Sequence, residues 1–221
     1  STLLNDDRTR ATFCFDNTPL TTPLHITYPH TEGSACAEGS ATVVFKATQS
    51  YVEGSFGVGD APMYGYCDNR DNQISMRHLA GVMRLAIKGA VTISTIEIVA
   101  DESIALAGEF KVDCMTGAMT ALEGKTTNSV IYTANKQLTA NKESIFHIAL
   151  PAGDLGVCDV VVSDSNGGKM NMKWNAKDVA RGIVREMKSF TFQRGVSFEL
   201  ENMTSEEDDD LFIPGNLQFV C

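Results

Sequence analysis

The chain has 221 residues, room for one large β-domain or two small ones and for a core that needs no staples. Its 28 acidic and 18 basic side chains leave a formal net charge of −10, which argues against nucleic acid as a partner, because phosphate binding needs clustered Lys and Arg. No window approaches the about 18 consecutive apolar residues of a membrane-spanning helix.

The opening Ser-Thr-Leu-Leu-Asn-Asp-Asp lacks the pattern of a secretory signal. The expectation is a cytosolic chain, or one whose addressing segment has been removed from this numbering. Residues 1–10 are polar and charged and read as a flexible lead. Phe13, Cys14 and Phe15 start a strand that Asp16-Asn17-Thr18-Pro19 turns, and residues 24–28 make a second. Residues 31–40 read as a loop. Residues 41–47 alternate, with Val43 and Phe45 on one face and Val44 and Lys46 on the other. Residues 51–60 are glycine-rich and read as irregular, residues 63–67 as a strand and residues 68–72 as a turn, with Ile74 beginning the return.

From Leu79 the pattern becomes regular. Met83, Leu85 and Ile87 alternate with Arg84, Ala86 and Lys88, and Gly89 ends the strand. Val91 and Ile93 share one phase while Ile96 and Ile98 share the other, so a β-bulge is expected near Ser94-Thr95. Residues 104–114 read as one strand, with Ile104, Leu106, Phe110, Val112 and Cys114 on its buried face, followed by a turn at residues 115–117. Residues 129–133 read as a short strand, and Phe146, Ile148 and Leu150 mark another. Cys158, Val160 and Val162 lead through Asp164-Ser165-Asn166-Gly167-Gly168 to Met170, Met172 and Trp174, the clearest hairpin in the chain. Residues 175–189 are ambiguous and read as a loop with one helical turn, feeding strands at residues 190–193 and at Val196, Phe198 and Leu200. Glu206-Glu207-Asp208-Asp209-Asp210 reads as a solvated acidic linker, and Leu217 and Phe219 as a last apolar strand.

Short strands with turns every 8–12 residues or so predict an all-β protein of β-sandwich type, with mostly antiparallel, Greek-key strands. The expected division is an N-terminal sandwich domain over residues 1–74, a second over residues 75–200, and an acidic linker with a terminal strand over residues 201–221.

No nucleophile elbow, P-loop, dinucleotide fingerprint, zincin helix or EF-hand loop is present, so no enzyme, cofactor or metal is expected. Residues 54–59 are glycine-rich but wrongly spaced to cradle a phosphate. His25, His30 and Cys36 have zinc-ligand chemistry without a zinc spacing. His147 reads as an ordinary, partly exposed strand residue. The six cysteines form no C-x-x-C, and Cys114 and Cys158 read as small buried hydrophobes.

Residues 72–192 resemble the main domain of the fimbrillin family, the lipoprotein-derived type V pilins of the gut and oral Bacteroides group. The stretches that carry the likeness are residues 75–89, residues 95–98 with 106–110, and Leu-Pro-Ala-Gly at residues 150–153, with Met63-Tyr64-Gly65-Tyr66 ahead of the junction. The compressed N-terminal part and the acidic extension depart from the family pattern. The resemblance implies two transthyretin-like sandwiches, export as a lipoprotein precursor to the outer membrane or fimbrium, and a trypsin-like cut after an arginine. Arg10-Ala11 is similar to that processing site. Removing the first strand then opens a groove that a strand of the next subunit fills, with main-chain hydrogen bonds supplying the attachment. Leu211, Ile213, Leu217 and Phe219 form the candidate donor strand; the alternative is that this tail completes its own sheet.

The expectation is therefore a non-enzymatic fimbrial or cell-surface adhesion subunit whose partners are other fimbrial subunits, with a host or bacterial surface ligand in addition. The alternative is a surface lipoprotein that binds a glycan or host ligand and never polymerises.

Overall fold

A computed structural model describes residues 2–4, 11–13, 24–37, 39–67, 73–203 and 218–220. Among them there are strands and no helix. The N-terminal strands are short: β1 (Thr2–Leu4), β2 (Ala11–Phe13), β3 (Leu24–Tyr28), β4 (Ala35–Ala37), β5 (Ser40–Phe45), β6 (Thr48–Ser50), β7 (Met63–Cys67), β8 (Gln73–Ser75) and β9 (Arg77–His78). Longer ones follow: β10 (Ala80–Lys88), β11 (Thr92–Val99), β12 (Ala107–Asp113), β13 (Met119–Thr127), β14 (Ser129–Gln137), β15 (Ser144–Pro151), β16 (Val157–Asp164) and β17 (Lys169–Asn175). Four short strands come last: β18 (Val184–Glu186), β19 (Phe190–Thr191), β20 (Ser197–Leu200) and β21 (Gln218–Val220).

Period-two patterning sets which face of each strand is dry. In β17, Met170, Met172 and Trp174 are buried while Lys169, Asn171 and Lys173 are exposed, and β5 buries Val43 and Phe45 in the same way. Strands β16 and β17 form the expected hairpin, in register from Val157 opposite Asn175 to Ser163 opposite Lys169. Asp164 shapes its turn by accepting the N–H groups of Asn166 and Gly168 at 2.8 and 2.9 Å and the Arg194 guanidinium at 2.6 Å. The bulge expected at residues 94–95 is present: β11 shifts register between Ile93 and Thr95 against both of its neighbours.

These strands build a β-sandwich of mostly antiparallel sheets. One layer is six-stranded, in the order β20-β17-β16-β11-β14-β6. Opposite lie β15-β10-β18, with β19 also on β10, and β13-β12-β5-β4. One apolar cluster fills the space between, including Ile96, Tyr132, Val160 and Met172 from the six-stranded sheet and Leu85, Ile87, Phe146 and Ile148 from β10 and β15. Tyr132 meets Phe146 edge-on across the layers at 6.4 Å. Each such side chain contributes about 1.5–3 kcal/mol by leaving water.

Several elements differ from the sequence reading. The strand expected over residues 104–114 begins only at Ala107, because Asp101 turns the preceding segment by accepting from Ser103. Strand β13 was not expected, since its outward side chains are polar and its burial shows no alternation. Strand β14 runs to Gln137, not to residue 133. Residues 31–40 contain β4, which pairs with β5. Residues 175–189 hold no helical turn: β18 runs parallel to β10, with Val82 N–H donating to the Ile183 carbonyl and Met187 N–H to the Arg84 carbonyl. The lead over residues 1–10 includes β1, antiparallel to β2.

Main-chain ladders cross the expected 74/75 boundary. Strand β5 pairs with β12 over Gly108–Asp113, and β6 pairs with β14. Val43, Phe45, Ala61 and Tyr64 share their apolar cluster with the strands that follow residue 79.

Candidate functional site

The candidate surface is the set of strand edges near the two ends of the chain. Ala11 is the first residue of β2 and stands opposite Leu4 of β1 in an antiparallel pair. The connection between these strands runs through Arg10, which lies outside the described residues. Of the tail residues, Leu211, Ile213 and Leu217 also lie outside them, while Phe219 belongs to β21. That strand pairs antiparallel with β8, Phe219 opposite Ile74, and it runs within 8 Å of β2 between Cα atoms. The two sequence-derived candidates, Ala11 and Phe219, thus come to one region of the molecule.

A second feature lies on the outward face of β10. A groove of about 620 Å³ is lined by Arg84, Ala86, Glu143, Glu186, Lys188 and Met203, among others. Its charges are matched in pairs: Arg84 with Glu186 at 3.2 Å, Glu143 with the adjacent Lys88 at 3.3 Å, and Lys188 with Glu201. A hydrogen bond from Ser189, and then Lys88, holds the Glu143 carboxyl below its ordinary value. These are solvent-screened pairs that orient side chains more than they add stability.

Two half-buried histidines titrate abnormally. Burial lowers His78, and burial followed by the Arg84 charge lowers His147, whose neighbours also include Glu186. A histidine depressed on folding binds protons more readily when unfolded. Its neutral form is therefore worth most above the ordinary value of 6.5, and stability falls as pH drops through that value toward the folded one. The urea midpoint is expected to fall between neutral and mildly acidic pH, and the double variant His78→Leu, His147→Leu to flatten that part of the profile. An unchanged slope in the double variant would assign it to other groups.

His25, His30 and Cys36 do not converge. His25 stacks at a tilt on Tyr66 at 5.2 Å, and the Cys36 thiol approaches the His25 carbonyl, not its ring. Among the described residues no three His, Cys, Asp or Glu side chains come together as a metal site. Cys114 and Cys158 are buried and free, and burial pushes the Cys158 thiol up to about 11, far from the range of an activated nucleophile.

Sequence reasoning missed Gln49. This side chain is 2 % exposed and lies against the outer edge of β15. Its Nε2 donates to the Ala149 carbonyl at 2.7 Å, and Ala149 N–H donates to its Oε1 at 3.0 Å. Nothing in Thr48-Gln49-Ser50 marks it, because all three side chains are polar and only the fold buries the middle one.

The fold defines the class: an all-β sandwich whose strands leave edges at the ends of its sheets. It is similar to a solved structure from Bacteroides ovatus described as a "putative cell adhesion protein", with a TM-score of 0.50 and 14 % identity over 88 % of this chain and 75 % of that one. At that identity the likeness is one of fold. No family model matches the chain, and no curated protein matches it either.

Proposed function

We propose that the chain is a non-enzymatic subunit of the fimbrillin type, a cell-surface adhesion protein exported as a lipoprotein precursor and assembled by strand exchange. The observation that carries this reading is the pairing of β1 with β2 across a connection that contains Arg10. A cut between Arg10 and Ala11 severs the covalent link between the two strands. Once β1 leaves, Ala11–Phe13 presents unpaired N–H and C=O groups, which an extended strand from another subunit can satisfy. The tail supplies that strand. Its residues 218–220 pair with β8 beside β2, so exchange replaces a pairing within one chain by the same kind of pairing between chains. The resemblance of residues 72–192 to fimbrillins and the fold shared with the Bacteroides structure support the reading.

Limited trypsin treatment followed by sizing tests it. Processing at Arg10-Ala11 is expected to convert monomers into a ladder of oligomers, and a chain lacking residues 211–221 to be cut without forming one. A processed chain that stays monomeric, or a truncated one that assembles normally, would sink the proposal. Monomers that give a signal on a glycan array would favour the non-polymerising binder.

A further inference from the structure

Strand β15 ends its sheet, with β10 on one side and no strand on the other among the described residues. Its sequence makes an open edge there hazardous. Residues 144–150, Ser-Ile-Phe-His-Ile-Ala-Leu, carry no Asp, Glu, Lys, Arg, Pro or Gly, which is the composition of a self-pairing segment. Sheet edges of this kind are ordinarily blunted by a charge, a bulge, a proline or a cover. Strand β15 has none of the first three before Pro151.

What covers it is a segment of the N-terminal part. The Gln49 amide presents one acceptor and one donor to Ala149, as a neighbouring strand would, but through a side chain. Beyond it, the Tyr51 ring packs on Phe146 at 5.5 Å, and the Tyr132 hydroxyl sits beside the backbones of Val52 and His147. The segment is held at its start by the β6–β14 pairing, and at its middle and far end by side chains. Glu53 pairs with Lys136, whose ammonium stands 4.9 Å over the Tyr51 ring. Lys46 bonds the Val58 carbonyl at 2.7 Å and buried Asp60 at 2.9 Å.

We infer that residues 48–60 are an edge guard, with Gln49 its central contact, and that displacing the guard turns β15 into a pairing edge for the same strand of a second copy. The partner is a second copy because the exposed segment is uncharged and complementary to itself, and an antiparallel β15–β15 pair closes with two-fold symmetry. The inference needs neither the cut at Arg10-Ala11 nor the tail, so it stands or falls apart from the assembly reading.

The test uses Gln49→Met, which keeps the volume and removes both hydrogen bonds, and Glu53→Ala, an exposed change that loosens the segment without touching the core. Amide exchange at Ala149 is expected to quicken about tenfold or more in dilute Gln49→Met, the loss of one buried hydrogen bond. Glu53→Ala is expected to quicken it to a smaller extent. On concentration, Gln49→Met is expected to dimerise by light scattering, with amides of residues 144–150 regaining protection. A synthetic peptide of residues 144–150 is expected to suppress that dimer. Unchanged Ala149 exchange in Glu53→Ala, a monomeric Gln49→Met at every concentration, or a dimer that leaves residues 144–150 unprotected would each overturn the inference.

Discussion

Replacing Phe45 with alanine is expected to destabilise the sandwich by about 3–5 kcal/mol, the cost of removing a buried aromatic ring and leaving its cavity. Phe45 is 1 % exposed and meets Phe110 edge-on at 5.1 Å. Its strand pairs with β12, so the ring belongs to a sheet made jointly by residues before and after 74/75. The consequence reaches beyond the magnitude. If ladders and core are shared in this way, urea should unfold residues 40–200 in one transition, and Phe45→Ala should shift that transition as a whole. A variant in which fluorescence of Trp174 keeps its original midpoint, while the N-terminal strands melt earlier, would instead mark two independent units.

The second large effect is expected at Gly108. Its φ is +105°, a region that side chains with a Cβ rarely enter, and a Cβ there would lie 2.2 Å from the Lys125 carbonyl oxygen and 2.7 Å from the Thr126 Cα. Both obstacles are main chain and cannot rotate away. The close approach arises because β13 skips residues against β12: Gly108 stands opposite Thr126, but Phe110 stands opposite Ala121. Gly108→Ala therefore meets backbone strain and overpacking together, for an expected loss of about 2–5 kcal/mol. Urea unfolding measures it, and a variant of wild-type midpoint would show that the β12–β13 irregularity can relax. A register irregularity of this kind is one way in which sheets discourage edge pairing.

Where one face of a strand is dry, the amino-acid pattern is sufficient to reveal it. The alternation in β17, the phase change between Ile93 and Ile96 and the turn formers at residues 164–168 each report a local geometric requirement, and each is met in the fold. Strand β13 has no such requirement, because its side chains are largely wet, and nothing in Met119–Thr127 distinguishes it from a loop. Strand β18 is similarly hidden: its three residues are all half-buried, and its place is set by the carbonyls and amides of β10, over 100 positions earlier in the chain.

The candidate surface divides along the same line. The charged lead ending in Arg10, the acidic run and the apolar tail are properties of composition, legible in the sequence itself. That β1 completes β2, that β21 lies beside it, and that a single glutamine stands in for a strand against β15 depend on which distant segments become neighbours. Side-chain periodicity encodes burial one residue at a time, so the sequence alone determined an all-β sandwich. Main-chain hydrogen bonding is the same for every residue type and carries no local signature, so only the tertiary structure decided which edges are paired, which are guarded and which can be opened.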